Sequence, residues 1–309
     1  MRRPSSIASN LVGVPNVVPV EATGEDTSRT RRDHFYLAPF HGVPNLLQAK
    51  QLVMNTKTKI VRDWLPRYTG VPLKKFGRYI LLTNFHRYVE LFANWHHVEV
   101  QGRDKPMTSA TASGITIINF GMGSATAATI MDLLSAVHPE AVLFLGKCGG
   151  LKHRAKIGSL ILPIAAIRGE GTSNDYFPPE VPALPSFALQ KAISTTVRDH
   201  KKDYWTGTVY TTNRRVWEHD TDFKKYLKRI RAMAVDMETA TIFTTGFANE
   251  ISTGALLLVS DEPMTPEGVK TSASDRKVDH DHVSEHLKIG IESLKQLINN
   301  GLTVKHLKF

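Results

Sequence analysis

The segment ITIINF (Ile115–Phe120), followed by Gly121-Met122-Gly123-Ser124 and then ATAATIMDLLSAV (Ala125–Val137), decides the fold class. Its first six residues carry no charge and read as a strand buried on both faces. Beyond the glycines, Ala127, Ile130, Met131, Leu134 and Val137 recur at helical spacing, so a helix follows whose apolar stripe needs a partner surface. A buried strand passing through a short glycine turn into an amphipathic helix is the unit of an α/β sheet.

The same alternation runs through most of the chain. YILLT (Tyr79–Thr83) precedes a predicted helix over Arg87–Trp95, and AVLFL (Ala141–Leu145) and LILPIAAI (Leu160–Ile167) read as strands, the latter broken by Pro163. Helices are predicted near Phe187–Asp199, over Asp220–Arg231 and after Met237, with strands near Met233–Val235 and over Ala255–Val259 (ALLLV). The last helix should bury Val283, Leu287, Ile291, Leu294 and Ile298. A first helix from Ala49 to Leu65 should stop at Pro66. The pattern predicts one α/β domain over residues 49–309 around a mostly parallel sheet. Residues 1–48, rich in Pro, Ser, Thr, Arg and Gly and without sustained periodicity, are expected to form a flexible amino-terminal extension. Their arginines and serines fit an organellar transit peptide, but Glu21, Glu25 and Asp26 argue against one.

Among 309 residues, 41% are apolar, enough for a substantial core and against disorder throughout. Lys and Arg number 39 against 29 Asp and Glu, a net +10 that fits nucleic acid or a phosphorylated small molecule as partner. Cys148 is the single cysteine, which excludes an intramolecular disulfide and a Cys-rich zinc or redox scaffold and points to a reducing, cytoplasmic setting. No apolar run approaches the roughly eighteen residues of a membrane span, so a soluble chain is expected.

Ligands of open α/β sheets gather at the carboxyl ends of strands, and four such places carry chemistry. At Gly121-Met122-Gly123-Ser124 two glycines admit close approach of a ligand, and a helix amino end offers donors to an anion. Gly146-Lys147-Cys148-Gly149-Gly150 is a second glycine-rich stretch, now with a cation. Asp236-Met237-Glu238 sits at a strand-to-helix junction, where acids are also ordinary caps. Ser260-Asp261-Glu262 ends a fully apolar strand, so the Asp261 carboxyl starts in a poorly solvated place where it can retain a proton.

Other features are weaker. His282 and His286 lie one helical turn apart near Asp279, Asp281 and Glu285, but the HExxH order is missing and no metal is expected. Gly121, Gly123 and Ala127 approximate a dinucleotide fingerprint, yet the next strand ends in Gly146-Lys147 rather than in an acid. Cys148 reads as packing, and the basic runs Lys152–Lys156 and Lys224–Arg231 as solvated surface.

Taken together, GMGSATAATIMDLLS, LGKCGGL, IRGEGTSNDYFPPEVPA, AVDMETA and LLLVSDEP, in this order, resemble the nucleoside phosphorylase and nucleosidase superfamily over about Leu65 to Leu297. LGKCGGL, TGTVYTTNRRVWEHD and DMETAT resemble its AMP nucleosidase branch most. The resemblance implies a three-layer α/β sandwich with a central mixed, partly barrel-like sheet, assembled as dimers or hexamers. It also implies cleavage of the bond between base and ribose without metal or organic cofactor, on AMP as substrate, with phosphate as a candidate effector and neither nucleic acid nor membrane as partner.

By position, Asp261 would give a proton or hydrogen bond to N7 of the purine, and Glu238 would accept the ribose hydroxyls with Met237 beneath the sugar. Gly121 and Gly123 would approach the substrate through backbone. Tyr176 would lie against the base with Ser173 beside it. Arg214 and Arg215 would hold the 5′-phosphate, with Lys147 as a second candidate and Arg103 reaching a partner subunit. Where phosphorylases of the superfamily carry two phosphate-binding arginines, this chain has Tyr88 and Phe144, which implies water as nucleophile. The base for that water is left unassigned, although Arg87 enters the first position with a one-residue shift. A nucleoside phosphorylase or hydrolase acting on unphosphorylated nucleosides, and a non-catalytic nucleotide-binding protein, are the alternatives.

Overall fold

The computed structural model describes residues 46–300, and the expected flexible extension lies almost wholly outside them. In chain order the described elements are α1 (Leu46–Thr69), β1 (Tyr79–Thr83), α2 (His86–His96), β2 (Thr108–Ala112), β3 (Ile115–Asn119), α3 (Ser124–Leu134), β4 (Ala141–Gly150) and β5 (Leu160–Gly169). They continue with α4 (Phe187–Asp199), β6 (Tyr204–Thr212), α5 (Thr221–Arg229), β7 (Ala234–Asp236), α6 (Thr239–Ala248), β8 (Thr253–Asp261), α7 (Ser272–Asp281) and α8 (Val283–Asn300).

The strands form one mixed sheet in the order β2-β3-β1-β4-β7-β6-β5-β8, and pairing of β8 with β4 closes its last five strands into a barrel. β4 runs parallel to β1 and β8 but antiparallel to β7, and β5 antiparallel to β8. Among the described residues, five of the eight strand pairings are parallel, as the alternation predicts, and the three antiparallel ones make it the mixed, partly barrel-like sheet implied by the resemblance. Alternation along the strands separates two cores. Val142 and Phe144 of β4, with Leu257 and Val259 of β8, meet α1, α3 and α6. Leu143 and Leu145, with Leu256 and Leu258, meet α2, α4 and α8. This is the three-layer sandwich, with each central strand buried on both faces.

Several boundaries differ from expectation for local reasons. Pro66 lies inside α1, which runs to Thr69; a proline this near the end removes a single backbone donor, and Gly70 still donates to the Pro66 carbonyl at 2.8 Å. Gly146–Gly150 is not a turn but the fully buried second half of β4. A Cβ on Gly149 would stand 2.8 Å from Pro263, and one on Gly150 2.5 Å from the Ala155 carbonyl, so these glycines serve close packing inside the barrel wall. β2 (TSATA) and β6 (YWTGTVYTT) escape an apolar-run reading because they are built largely of threonine and small residues. On α8 the buried position is Leu297, while Ile298 is 40% exposed. Asp220 caps α5 through Phe223 N–H rather than starting it.

Candidate active site

The carboxyl ends of β1, β4, β6, β7 and β8 surround a cavity of about 370 Å³, within the range of small-molecule pockets. Lys147, Arg214, Arg215, Met237, Glu238 and Asp261 all line it, together with Asn84, Trp217, Glu218 and Lys270.

Asp261 is the last residue of β8. A register shift between Cys148 and Gly149 pairs Gly149 with Asp261, and such bulges re-aim a side chain where pairing ends. Its Oδ1 accepts the Ser260 hydroxyl at 2.7 Å. Burial raises the carboxyl above its ordinary value, against the opposing effects of that hydroxyl and of the Lys270 and Arg215 charges.

Glu238 is the N-cap residue of α6 and is almost fully buried. Its Oε1 accepts Gly123 N–H at 2.7 Å and its Oε2 accepts Met237 N–H at 3.2 Å, with the Asn84 side chain as a further partner. Burial first, and the neighbouring Asp236 charge second, push its pKa up to about 8. Asp236 itself is committed to structure: Thr211 Oγ1 donates to one oxygen at 2.7 Å, and Thr239 donates through N–H (2.8 Å) and hydroxyl to the other. The glycine turn thus acts on the site through Glu238 and through Met122, which lines the cavity; Gly121 N–H is turned to Asn119 Oδ1 at 3.1 Å.

The two arginines differ. Arg214 pairs with Asp220 at 2.9 Å and lies 5.4 Å from the Phe223 ring centre. Arg215 has only a looser contact to Glu218 at 3.4 Å, and its charge reaches Asp261. Lys147 is buried, and its ammonium is engaged by Asp275 at 2.8 Å and Asp279 at 2.6 Å, 4.2 Å above the Phe85 ring. Its charge is therefore neutralised from within the chain, contrary to the expectation of a phosphate ligand.

Ser173 and Tyr176 do not line the cavity. The Tyr176 hydroxyl donates to Asp132 Oδ2 at 2.7 Å on α3, and the Ser173 hydroxyl accepts Arg168 Nε at 2.8 Å, so both serve the loop after β5. The cavity's aromatic walls are Trp217 and Phe85. Tyr88 is fully buried with its hydroxyl 2.8 Å from His286 Nδ1, Phe144 is buried against Phe120, and Arg87 and Arg103 are exposed away from the cavity lining. His286, part of the rejected metal pattern, also contacts the Leu256 carbonyl at 3.0 Å.

Asn84 was within reach of the sequence, since it directly follows YILLT, and Trp217 and Glu218 lie inside TGTVYTTNRRVWEHD. Lys270 carried no local signal.

A strand-end cavity with buried acids on this closed mixed sheet defines the class: residues 78–301 match the phosphorylase superfamily, and the chain belongs to it. The AMP nucleosidase of Escherichia coli (strain K12) is 30% identical over 284 residues, covering 77% of this chain and 58% of that protein. The crystal structure of AMP nucleosidase from Bacteroides thetaiotaomicron VPI-5482 is 55% identical with a TM-score of 0.72, covering 79% of this chain and 98% of that one. A uridine phosphorylase structure from Vibrio fischeri ES114, 22% identical with a TM-score of 0.64 over 73% of this chain and 95% of that one, shares the fold. Among the described residues no helix is long and apolar enough to cross a membrane.

Proposed function

We propose that this chain is an AMP nucleosidase, hydrolysing the N-glycosidic bond of AMP to adenine and ribose 5-phosphate. The observation that carries the reading is one cavity holding the partly buried Asp261 carboxyl, the hydrogen-bonded Glu238 carboxyl and the Arg215 guanidinium. Likeness to the two AMP nucleosidases supports it.

Asp261 in its protonated form gives N7 of adenine a proton as the bond between C1′ and N9 breaks, so the base leaves neutral. Positive charge grows on the sugar in the transition state. Glu238 faces the ribose hydroxyls: in its protonated form one oxygen donates and the other accepts, and the positive charge growing on the sugar favours its ionised form. Met237 supports the sugar, and Arg215, with Arg214 behind it, receives the 5′-phosphate. Water rather than phosphate attacks, because Tyr88 and Phe144 supply no guanidinium pair for a phosphate nucleophile. A homo-oligomer, a cytoplasmic setting and phosphate as effector belong to the same reading; they rest on the resemblance and on the lone cysteine.

Incubation with AMP in phosphate-free buffer should release adenine and ribose 5-phosphate in equal amounts. Cleavage that requires phosphate and yields a ribose 1-phosphate ester would replace hydrolysis by phosphorolysis, and binding of AMP without adenine release would leave only a nucleotide-binding protein.

A further inference from the structure

Five carboxylates line the cavity, and four have partners or tasks that occupy them. Asp261 and Glu238 face base and sugar in the reading above, Asp236 is tied to Thr211 and Thr239, and Glu218 accepts Trp217 N–H at 3.0 Å beside its contact with Arg215. The fifth is Asp275 on α7. Its Oδ1 accepts both Lys147 Nζ at 2.8 Å and Lys270 Nζ at 2.9 Å. Its Oδ2 takes no hydrogen bond among the described residues, and the side chain is 35% exposed.

The way α7 is held makes this arrangement specific. The helix carries one buried residue, Val278, and is otherwise strongly polar, so apolar packing does little to fix it. Its amino end is set by the reciprocal capping of Thr271 and Ser274. The buried Lys147 then ties α7 to β4 through Asp275 and Asp279, which stand one helical turn apart. Two lysines thus grip one oxygen of a cavity-lining carboxylate and leave the other without a partner. Competing bases are committed elsewhere: both ring nitrogens of His286 are engaged, Tyr88 is buried against it, and burial raises the Cys148 thiol well above its usual range.

We propose that Asp275 is the base of the hydrolytic step, its free oxygen holding the attacking water and taking its proton, with Lys147 as the positioning residue that fixes it. The inference rests on the hydrolytic reading above. As the bond from C1′ to N9 breaks, its electron pair leaves with adenine and the Asp261 proton goes to N7. The water oxygen bonds to C1′, and one of its protons passes to Asp275 Oδ2. Asp275 returns that proton to solvent and Asp261 takes one up, so the sum is AMP plus water giving adenine plus ribose 5-phosphate. Burial would lift the Asp275 carboxyl, but the two lysines hold it below its ordinary value, so it is ionised at neutral pH. A weakly basic carboxylate suffices, because a sugar cation needs an oriented water more than a deprotonated one.

The test compares Asp275→Asn with Asp279→Asn, which shares the Lys147 contact but does not line the cavity. Asp275→Asn should lower kcat on AMP about 100-fold, with KM changed less than about threefold. Sodium azide, a nucleophile with no proton to lose, should restore adenine release and give ribosyl azide 5-phosphate. Asp279→Asn should lose less than about tenfold in kcat and gain nothing from azide. Equal losses in the two variants, or an Asp275→Asn enzyme indifferent to azide, would overturn the assignment while leaving AMP hydrolysis intact. A wild-type protein that releases no adenine from AMP would instead remove the hydrolytic reading and this inference with it.

Discussion

The backbone N–H of Gly123 donates to Glu238 Oε1 at 2.7 Å and so joins the glycine turn after β3 to the junction of β7 and α6. Gly123 has φ +96 and ψ 162, a region open essentially to glycine, and a Cβ there would meet nothing within 4 Å. Gly123→Ala should therefore cost only backbone strain, about 1–3 kcal/mol by thermal unfolding. Because relaxing that strain turns the N–H away from Glu238, kcat/KM should fall by about tenfold or more even below the unfolding transition. Unchanged kinetics in a folded variant would show that the contact is structural only.

The two adjacent arginines should separate cleanly. Arg215, loosely held by Glu218, should confer the preference for a phosphorylated substrate, so Arg215→Ala should lower kcat/KM on AMP about 100-fold and alter that on adenosine little. Arg214→Ala should retain the AMP preference and lower the melting temperature slightly through loss of its Asp220 pair and Phe223 contact. An unchanged preference for AMP in both variants removes this loop from substrate recognition.

Lys147 is predicted to act through α7 and not on the substrate. Lys147→Met leaves two facing carboxylates without their shared cation, which should cost about 2–3 kcal/mol in chemical denaturation, less than for a fully buried pair because both acids are partly exposed. The ratio of kcat/KM for AMP over adenosine should stay constant; a collapse of that ratio would return Lys147 to the phosphate subsite.

The raised pKa of Asp261 has a signed consequence for stability. A carboxyl whose folded value lies above its unfolded one contributes stability that is complete below the ordinary carboxylate range and is lost as pH rises through the raised value. Asn at this position has no proton to lose, yet its side-chain oxygen still accepts the Ser260 hydroxyl. The melting temperature of Asp261→Asn relative to wild type should therefore rise as pH increases from about 4. A difference independent of pH would mean that Asp261 titrates normally in the folded protein.

The sheet was legible where strands are unbroken apolar runs, as in AVLFL, ITIIN and ALLLV, and invisible in β2 and β6, whose threonines hydrogen-bond and pack without raising hydrophobicity. Gly146–Gly150 misled because a glycine required for close packing looks the same in a sequence as one required for a turn. Asp261, Glu238 and Met237 were readable as residues at strand ends, and Arg215 only through the family resemblance, because the strand before it carries no apolar run. Ser173 and Tyr176 lie in an equally distinctive motif, but their hydroxyls are drawn to Arg168 and Asp132. The contact of Lys147 with Asp275 spans 128 residues, and no local pattern marks such a pair.

The central claim, a partly buried carboxylic acid at the end of β8 that protonates the departing purine, is tested most directly by giving Asp261→Asn two substrates. AMP needs the proton; its N7-methylated analogue already carries positive charge on the base and does not. Adenine release from AMP should fall at least about 100-fold, while cleavage of the methylated nucleotide stays within about tenfold of wild type. An equal loss on both substrates, or full activity on AMP, would contradict the account.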